Sequence, residues 1–314
     1  MINFRYHVVS LTAVFLALAI GLVVGTAALN GPVADSLSAN VNALRKDNQQ
    51  LRETVGSLQE EVTREEDYAR ETAPGLLGGT LTGRRLLVLA LPSGEKHVDG
   101  VIEMLRQTGA TITGQIDLQD KFVNPDNSVD LLGLAERSAK PTVPANGLPG
   151  NSNGVETSSA FLAGAVLDRP DGITVTDADR RAVLDAYANA GYLTVGDKVG
   201  GPAEAVVLVS GQPYVDRDSA QKDQAVVTMT EQFDKAVPLI VAGSGTSAGN
   251  VVAAVRDDPA LAKTISTVDH ANTLQGQVVT AMAAIEQIVV KKAGQYGLGA
   301  GATDLLPQLP QRPK

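Results

Sequence analysis

The sequence predicts an α/β protein: an N-terminal transmembrane helix, a parallel dimeric coiled coil, and then a doubly wound, Rossmann-like α/β domain. Three observations predict it. Residues 8–29 contain no charged side chain, a leucine and valine heptad follows them, and short apolar runs alternate with amphipathic segments from residue 84 onward. Strands that alternate with helices favour a parallel sheet with helices on both faces.

Composition limits the possible functions. The chain has 314 residues, of which 44% are hydrophobic, with a net charge of -9 and no cysteine. An acidic chain lacks the basic surface that nucleic acid requires, so we expect no nucleic-acid partner. The absence of cysteine excludes disulfides, thiolate metal sites and cysteine nucleophiles.

The apolar run at residues 8–29 is long enough to span a bilayer. At 1.5 Å per residue it extends about 33 Å. Arg5 precedes it and Asp35 is the first charge after it, so the positive-inside rule places residues 1–7 in the cytosol and the rest outside. The alternative is a cleaved signal peptide with small residues at 26–28, although the run exceeds the usual apolar region of roughly 7–15 residues.

Gly21 and Gly25 form a GxxxG pair inside this span. Such a pair lets two helix backbones approach closely, which favours dimerisation in the membrane. Glycine is also simply common in membrane helices, so the pair has a second, non-specific explanation.

A heptad repeat predicts a coiled coil over residues 33–70, after a helix break at residues 30–32. Valine at a positions and leucine at d positions favour a parallel dimer, and a buried Asn48 at an a position fixes register. Asp47 at g can reach Arg52 at e of a second chain. The alternative is a single amphipathic helix packed on its own domain. The seam consists of Leu37, Val41, Leu44, Asn48, Leu51, Val55, Leu58 and Val62.

The rest of the chain is predicted as a linker over 71–83, an α/β domain over 84–294 and a disordered tail over 295–314. Polar composition predicts a mobile loop over 124–160 with a short helix near 131–138. Predicted strands cover residues 85–91, 111–118, 192–195, 205–209, 239–242 and 264–268. Predicted helices cover 95–107, 176–190, part of 216–235, 247–257 and 273–292.

One serine motif suggests hydrolase chemistry. Residues 245–249 match the G-x-S-x-G pattern around Ser247, with Asp269 and His270 downstream. The predicted strand ends at Ala242, which leaves Ser247 too far from the strand for a nucleophile elbow. The competing interpretation is a loop that caps the next helix, and we expect no enzyme and no catalytic residue.

The same loop contains Gly243-x-Gly245, a weak hint of phosphate binding at a helix N-terminus, but it lacks the lysine of a P-loop. We expect it to be part of the sheet edge, and we expect no cofactor. Soft metal ligands are scattered, so we also expect no metal site. They are His7, His97, His270, Met1, Met104, Met229 and Met282.

Three stretches resemble the mycobacterial copper transport protein family (MctB). They are Tyr6 to Gly21, Ile265 to Asp269, and the glycine-rich Gly294 to Ala302. The resemblance follows the whole chain. It implies an actinobacterial cell-envelope protein linked to copper homeostasis or transport, described for the family as an outer-membrane channel. It also brings in related corynebacterial cell-separation proteins that act beside a membrane partner and a peptidoglycan hydrolase.

Two functions remain open from the sequence. The first is a membrane-anchored copper-homeostasis or transport protein, with copper implied only by the resemblance. The second is a non-catalytic dimeric scaffold that binds envelope partners in cell separation or peptidoglycan hydrolase regulation. The single span and continuous apolar strands favour the second, because an outer-membrane barrel needs strands of alternating polarity.

Overall fold

The computed structural model describes residues 4–30, 32–150, 153–169, 172–196 and 199–310, without the side chains of 28–34. The chain divides into two compact units, Met1–Glu65 and Glu66–Lys314. Each unit is described by itself below.

Helix α1 (Phe4–Asn30) contains the predicted transmembrane segment. Its apolar part, Phe4–Ala27, has 24 residues and buries none of them within the chain. At 1.5 Å per residue this part is about 36 Å long, enough for the hydrocarbon core of a bilayer. Gly31 of the predicted helix break lies outside the described residues, and the next helix begins at Pro32, a residue that is well tolerated in a first helical turn.

Helix α2 (Pro32–Leu77) is longer than the predicted coil and extends into the predicted linker. Ala73, Leu77 and Leu81 are completely buried in the α/β unit. Glycine and proline suggested a linker here, but Pro74 lies in the last turn of the helix, and the apolar side chains around it pack into the domain. Burial therefore outweighs local composition in this segment.

Within the described residues, seven strands form one mostly parallel sheet in the order β3-β2-β1-β4-β5-β6-β7. Only β3 is antiparallel to its neighbour, β2. The sequence predicted the first six strands but not the last. The strands are β1 (Arg85–Ala90), β2 (Thr111–Leu118), β3 (Leu193–Val195), β4 (Ala205–Val209), β5 (Leu239–Ala242), β6 (Ile265–Val268) and β7 (Gln295–Tyr296).

Helices cover both faces of the sheet, because alternate strand residues point to opposite sides. Leu87 and Leu89 of β1 pack on one face, against helices α4 to α9. Leu86 and Val88 pack on the other, against the end of α2 and helices α3 and α11. The helices after α2 are α3 (Glu95–Gln107), α4 (Asp120–Val123), α5 (Ser128–Arg137), α6 (Gly154–Val166), α7 (Asp177–Asn189), α8 (Ser219–Asp234), α9 (Val251–Asp257), α10 (Leu261–Thr264) and α11 (Leu274–Ile285).

The structure contains the short helix predicted near 131–138 as α5, and it adds α6 at the end of the predicted loop at 124–160. The mobility of the segment stays a prediction. Helices α5 and α6 lie within or overlap it, and Ser158 and Ser159 are fully buried. The Ser158 hydroxyl donates to the Leu131 carbonyl at 3.0 Å and accepts from the Tyr187 hydroxyl at 2.8 Å. Internal hydrogen bonds thus allow Ser158 to enter the core, whereas the buried Ser159 hydroxyl has no partner among the described residues.

The predicted disordered tail contains regular structure within its described residues, 295–310. It contributes β7, which pairs in parallel with β6 through Thr267 and Val268. Gln295 and Tyr296 are buried. Residues 311–314 lie outside the described part of the chain.

Candidate functional site

All ten predicted dimerisation residues belong to α1 and α2, and the apolar ones remain uncovered in the single chain. The seven apolar seam side chains expose between 36% for Val41 and 67% for Leu44. A side chain added at Gly21 or Gly25 would meet no atom within 4 Å. An exposed leucine and valine stripe of this length is typical of a helix that binds a second helix.

A buried ionic centre lies where β6 ends. The Asp269 carboxylate is 3% exposed and accepts hydrogen bonds from Arg256 Nη1 at 2.9 Å and His270 Nδ1 at 3.0 Å. It also accepts from the backbone N–H groups of Leu298 at 3.1 Å and Gly299 at 2.7 Å. Burial raises the pKa of Asp269, but the bonds from Gly299, Arg256 and Leu298 outweigh burial and hold that pKa below its ordinary value.

Arg256 joins this centre to the C-terminal segment. Its guanidinium is 1% exposed, and besides Asp269 it contacts Thr267 Oγ1 through Nε at 2.8 Å. It donates further to the carbonyl oxygens of Tyr296 at 2.8 Å and Ala300 at 2.9 Å. We call Arg256, Asp269 and residues 294–304 the C-terminal latch.

Close packing explains the glycines of the latch. Gly297 has φ +131°, and a Cβ there would lie 2.1 Å from Asp269 Oδ1. A Cβ at Gly299 would lie 2.6 Å from the Thr246 side chain, and one at Gly301 would lie 3.1 Å from Arg256. Any side chain at Gly297 would therefore displace the carboxylate or the backbone that binds it.

Tyr296 anchors the latch on its other side. Its hydroxyl donates to the buried Glu286 carboxylate, which Lys292 Nζ approaches at 3.4 Å. Burial, together with the Glu286 carboxylate, raises the pKa of Tyr296. With the acceptor positions of Asp269 occupied, the latch is suited to holding the chain end on the sheet rather than to binding a substrate.

The structure does not bring Ser247 and His270 together as a catalytic pair. Ser247 is exposed in the loop before α9, and no hydrogen bond joins the two among the described residues. The helix predicted from residue 247 starts at Val251, with Asn250 as its cap at 2.9 Å from the Val252 N–H. The exposed serine is therefore neither the cap nor a nucleophile at an elbow.

Sequence reasoning missed Ser244, which forms an isolated antiparallel bridge with His270. Residues that face each other in such a bridge lie close together. The Ser244 hydroxyl is buried and has no hydrogen-bond partner within the described structure. A substrate cannot reach this hydroxyl from solvent, so the arrangement lacks an accessible nucleophile. The one sequence feature that could have drawn attention to Ser244 is its position two residues after Ala242, where β5 ends.

Protein atoms fill the edge of the sheet where the strand order reverses, between β1 and β4. Ligands of open α/β sheets usually bind at such a point. Here the Gly211 N–H donates to Ser93 Oγ at 3.0 Å, and a Cβ at Gly211 would lie 1.9 Å from the Ser93 carbonyl oxygen. The cavity beside these loops measures about 20 Å³, room for about one water molecule. A dinucleotide does not fit there.

Potential metal ligands stay apart in the described structure. No three His, Cys, Asp or Glu side chains come together there in a way that could hold a metal ion. Met104, Met229 and Met282 are buried in the core. His97 is half-buried at the start of α3, where burial and then Lys96 lower its pKa.

Comparison with known proteins decides the family. Residues 1–307 match the family described as "Copper transport outer membrane protein, MctB". The chain belongs to the MctB family. Relatives named "Copper transporter MctB" occur in Mycobacterium tuberculosis and Mycobacterium bovis, each 27% identical over 96% of this chain and 98% of the relative. The relative in Mycobacterium leprae is 28% identical over 97% of this chain and 99% of its own length.

Two of the three stretches that carry the MctB resemblance meet in the latch. Residues 265–269 form β6 and supply Asp269, and residues 294–302 form β7 and the glycine turn around it. The third stretch lies in α1. The stretches that carry the resemblance therefore lie in the apolar helix α1 and in the latch that closes the α/β domain.

Proposed function

We propose that this chain is a membrane-anchored cell-envelope protein with a role in copper homeostasis or transport. The observation that supports it most is the MctB match over residues 1–307, together with relatives named as copper transporters. Helix α1 serves as the anchor, with residues 1–7 in the cytosol and the α/β domain outside. One span per chain cannot enclose a pore, so any copper path would need further chains.

The test is copper tolerance in the source cells. We expect a strain that lacks the gene to accumulate more copper and to grow more slowly in added copper, and the full-length gene to restore both. A variant with the latch broken, Arg256→Met, should fail to restore them if the α/β domain is required. Unchanged copper content in the deletion strain would reject this function.

A second measurement separates direct from indirect copper handling. The full-length chain in lipid nanodiscs is titrated with copper(I) and copper(II). Binding weaker than micromolar would remove direct copper handling and leave an indirect role in the envelope.

A second candidate is a dimeric scaffold, favoured by the uncovered seam of α2. Two chains anchored in one membrane would pair in parallel through this seam and through Gly21 and Gly25. The Rossmann-like domain would then present a binding surface to an envelope partner, such as a regulator of peptidoglycan hydrolysis. The crevice between β1 and β4 is filled by protein atoms, so we assign no nucleotide site to it in this proposal.

Dimerisation can be tested by disulfide cross-linking, because the chain has no cysteine of its own. In membranes, a Val55→Cys variant should form an interchain disulfide on oxidation, because residues at heptad position a of the two helices face each other in a parallel pair. Glu53→Cys, on the outer face of the helix, is the matched control. Equal cross-linking of both variants would contradict the seam.

A further inference from the structure

An asparagine–glycine pair lies in an exposed turn between α5 and α6. Asn146 and Gly147 are both exposed, and Gly147 has φ +83°, a backbone conformation that glycine adopts without strain. A Cβ built at Gly147 would meet no atom within 4 Å. Among the described residues, neither the Asn146 side chain nor the Gly147 N–H forms a hydrogen bond. No hydrogen bond there therefore holds the side-chain amide away from the peptide nitrogen that follows it.

A second pair, Asn153 and Gly154, has the same two residues but is held in place. Asn153 Oδ1 caps α6 by accepting from the Glu156 N–H at 3.1 Å, and the Gly154 N–H donates to Ser128 Oγ at 2.9 Å. Gly154 is buried, and a Cβ there would lie 1.9 Å from the Ser128 carbonyl oxygen. The two pairs therefore differ in their surroundings and not in their own chemistry. A third pair, at residues 30–31, includes a residue outside the described part of the chain.

Asparagine followed by glycine is chemically labile, because glycine has no side chain to keep its nitrogen away from the asparagine amide. The Gly147 nitrogen loses its proton to water and bonds to Asn146 Cγ. The bond from Cγ to Nδ2 breaks, and ammonia leaves with a proton taken from water, which gives a succinimide ring. Water then opens the ring. Breaking the bond between Cγ and the Gly147 nitrogen gives aspartate, and breaking the main-chain bond gives isoaspartate.

We propose that Asn146 is a site of spontaneous deamidation, which converts to aspartate and isoaspartate while Asn153 stays intact in the folded chain. Either product adds a negative charge to the turn. The turn lies between Val143, which is 1% exposed, and Leu148, which packs partly buried against the core. The extra main-chain carbon of isoaspartate therefore falls in a short segment between two packed side chains. The modification requires neither copper nor a second chain.

The experiment incubates the full-length chain in nanodiscs at neutral and at mildly basic pH. Peptide mapping by mass spectrometry follows each asparagine with time, and labelling by an isoaspartyl methyltransferase gives a second readout. We expect Asn146 to react at least about tenfold faster than Asn153, because Asn153 reacts only after the first turn of α6 opens and its hydrogen bonds break. The rate should rise with pH, because the attacking nitrogen must lose its proton. Asn146→Gln should remove most of the isoaspartyl signal, because glutamine must form a larger ring.

The same chain unfolded in guanidinium chloride is the control for local sequence. There the two pairs should react at similar rates, since the hydrogen bonds that protect Asn153 are absent. An Asn146 that persists in the folded chain while both asparagines react in the unfolded chain would overturn the proposal. Equal rates for the two pairs in the folded chain would overturn it as well, as would an isoaspartyl signal that survives in Asn146→Gln.

Discussion

The two ends of this chain use the same apolar side chains in opposite ways. In α1 and in α2 as far as Val62, leucine and valine stay largely exposed. From β1 onward most leucines and valines are buried, as Leu87 and Val207 are, with exposed exceptions such as Val215 and Leu298. Apolar burial stabilises by about 25 cal/mol per Å², so the α/β domain holds its stability within one chain. The N-terminal segment leaves its apolar side chains exposed in the single chain, which is why we propose a membrane and a partner helix for it.

The largest expected effect is the loss of dimer cross-linking when charges are placed in the α2 seam. Leu44→Asp combined with Leu51→Asp should abolish cross-linking of Val55→Cys, because charges at d positions cannot be buried between helices. Thermal unfolding of the α/β domain should not change. The matched control adds the same charges one residue earlier, as Ala43→Asp with Gln50→Asp, at outward c positions. Lost cross-linking in the control would mean that charge alone, and not the seam, explains the effect.

The next effect lies inside the α/β domain. Arg256→Met should lower the free energy of unfolding by about 3–5 kcal/mol, because Asp269 is left as an unpaired buried charge. Chemical denaturation of the nanodisc-bound chain measures it. The exposed pair Arg70–Asp67, with 60% and 59% of its side chains accessible, gives the control Arg70→Met, which should change stability by about 0–1 kcal/mol. A similar loss in both variants would remove the special role of the latch.

Glycine substitutions test the latch geometry at a smaller scale. Gly297→Ala should cost about 1–3 kcal/mol or more, because backbone strain adds to the overlap with Asp269. Gly191→Ala is the control: its φ is +76° and a Cβ there meets nothing within 4 Å, so it reports strain alone, about 1–2 kcal/mol. The same denaturation midpoints compare them. Equal losses would show that the carboxylate yields easily.

The smallest effect concerns pH. Burial raises the pKa of Asp234, although the hydrogen bond from Thr264 partly offsets it. A raised carboxyl pKa means that ionised Asp234 weakens the fold above that pKa, and that the penalty disappears as the pH falls below the unfolded value of about 3.9. Asp234→Asn should therefore stabilise by less than about 1 kcal/mol at pH 7 and by nothing at pH 3. The exposed Asp185→Asn matches its charge change and should show no such gain.

The pH dependence of the stability contributed by Asp269 is opposite to that of Asp234, because the pKa of Asp269 is lowered. Its contribution is present above the unfolded pKa and is lost as the pH falls through the lower folded value. Asp269→Asn should flatten the acid side of the stability profile. An unchanged profile would argue that the carboxylate is unimportant to the latch.

Local patterns in the sequence predicted the parts of the fold that depend on neighbouring residues. The apolar runs at 85–91 and 205–209 became β1 and β4, and Thr176 caps α7 as its position before two aspartates indicated. The latch escaped prediction because it joins residues far apart, such as Asp269 and Leu298. In the sequence, the glycines of the latch resemble those of a flexible tail. In the fold, Gly297 is required because the Asp269 carboxylate occupies the space of its missing side chain.

The same limit applies to α6. Its polar sequence resembles a loop, and only the fold reveals that Leu131 and Tyr187 supply hydrogen-bond partners for Ser158 from other helices. The seam, by contrast, is visible in the sequence because its spacing is local. The pairing of two chains through the seam stays a prediction.

The position of β7 has a consequence for synthesis. Arg256 and Asp269 emerge from the ribosome well before Tyr296 and Gly299, whose backbone groups bind them. The hydrogen bonds around this ion pair therefore cannot be complete until residues 296–300 have been translated. A nascent chain that stops short of residue 294 leaves the edge of β6 bare, so premature termination yields a product with an open edge strand that is prone to aggregation.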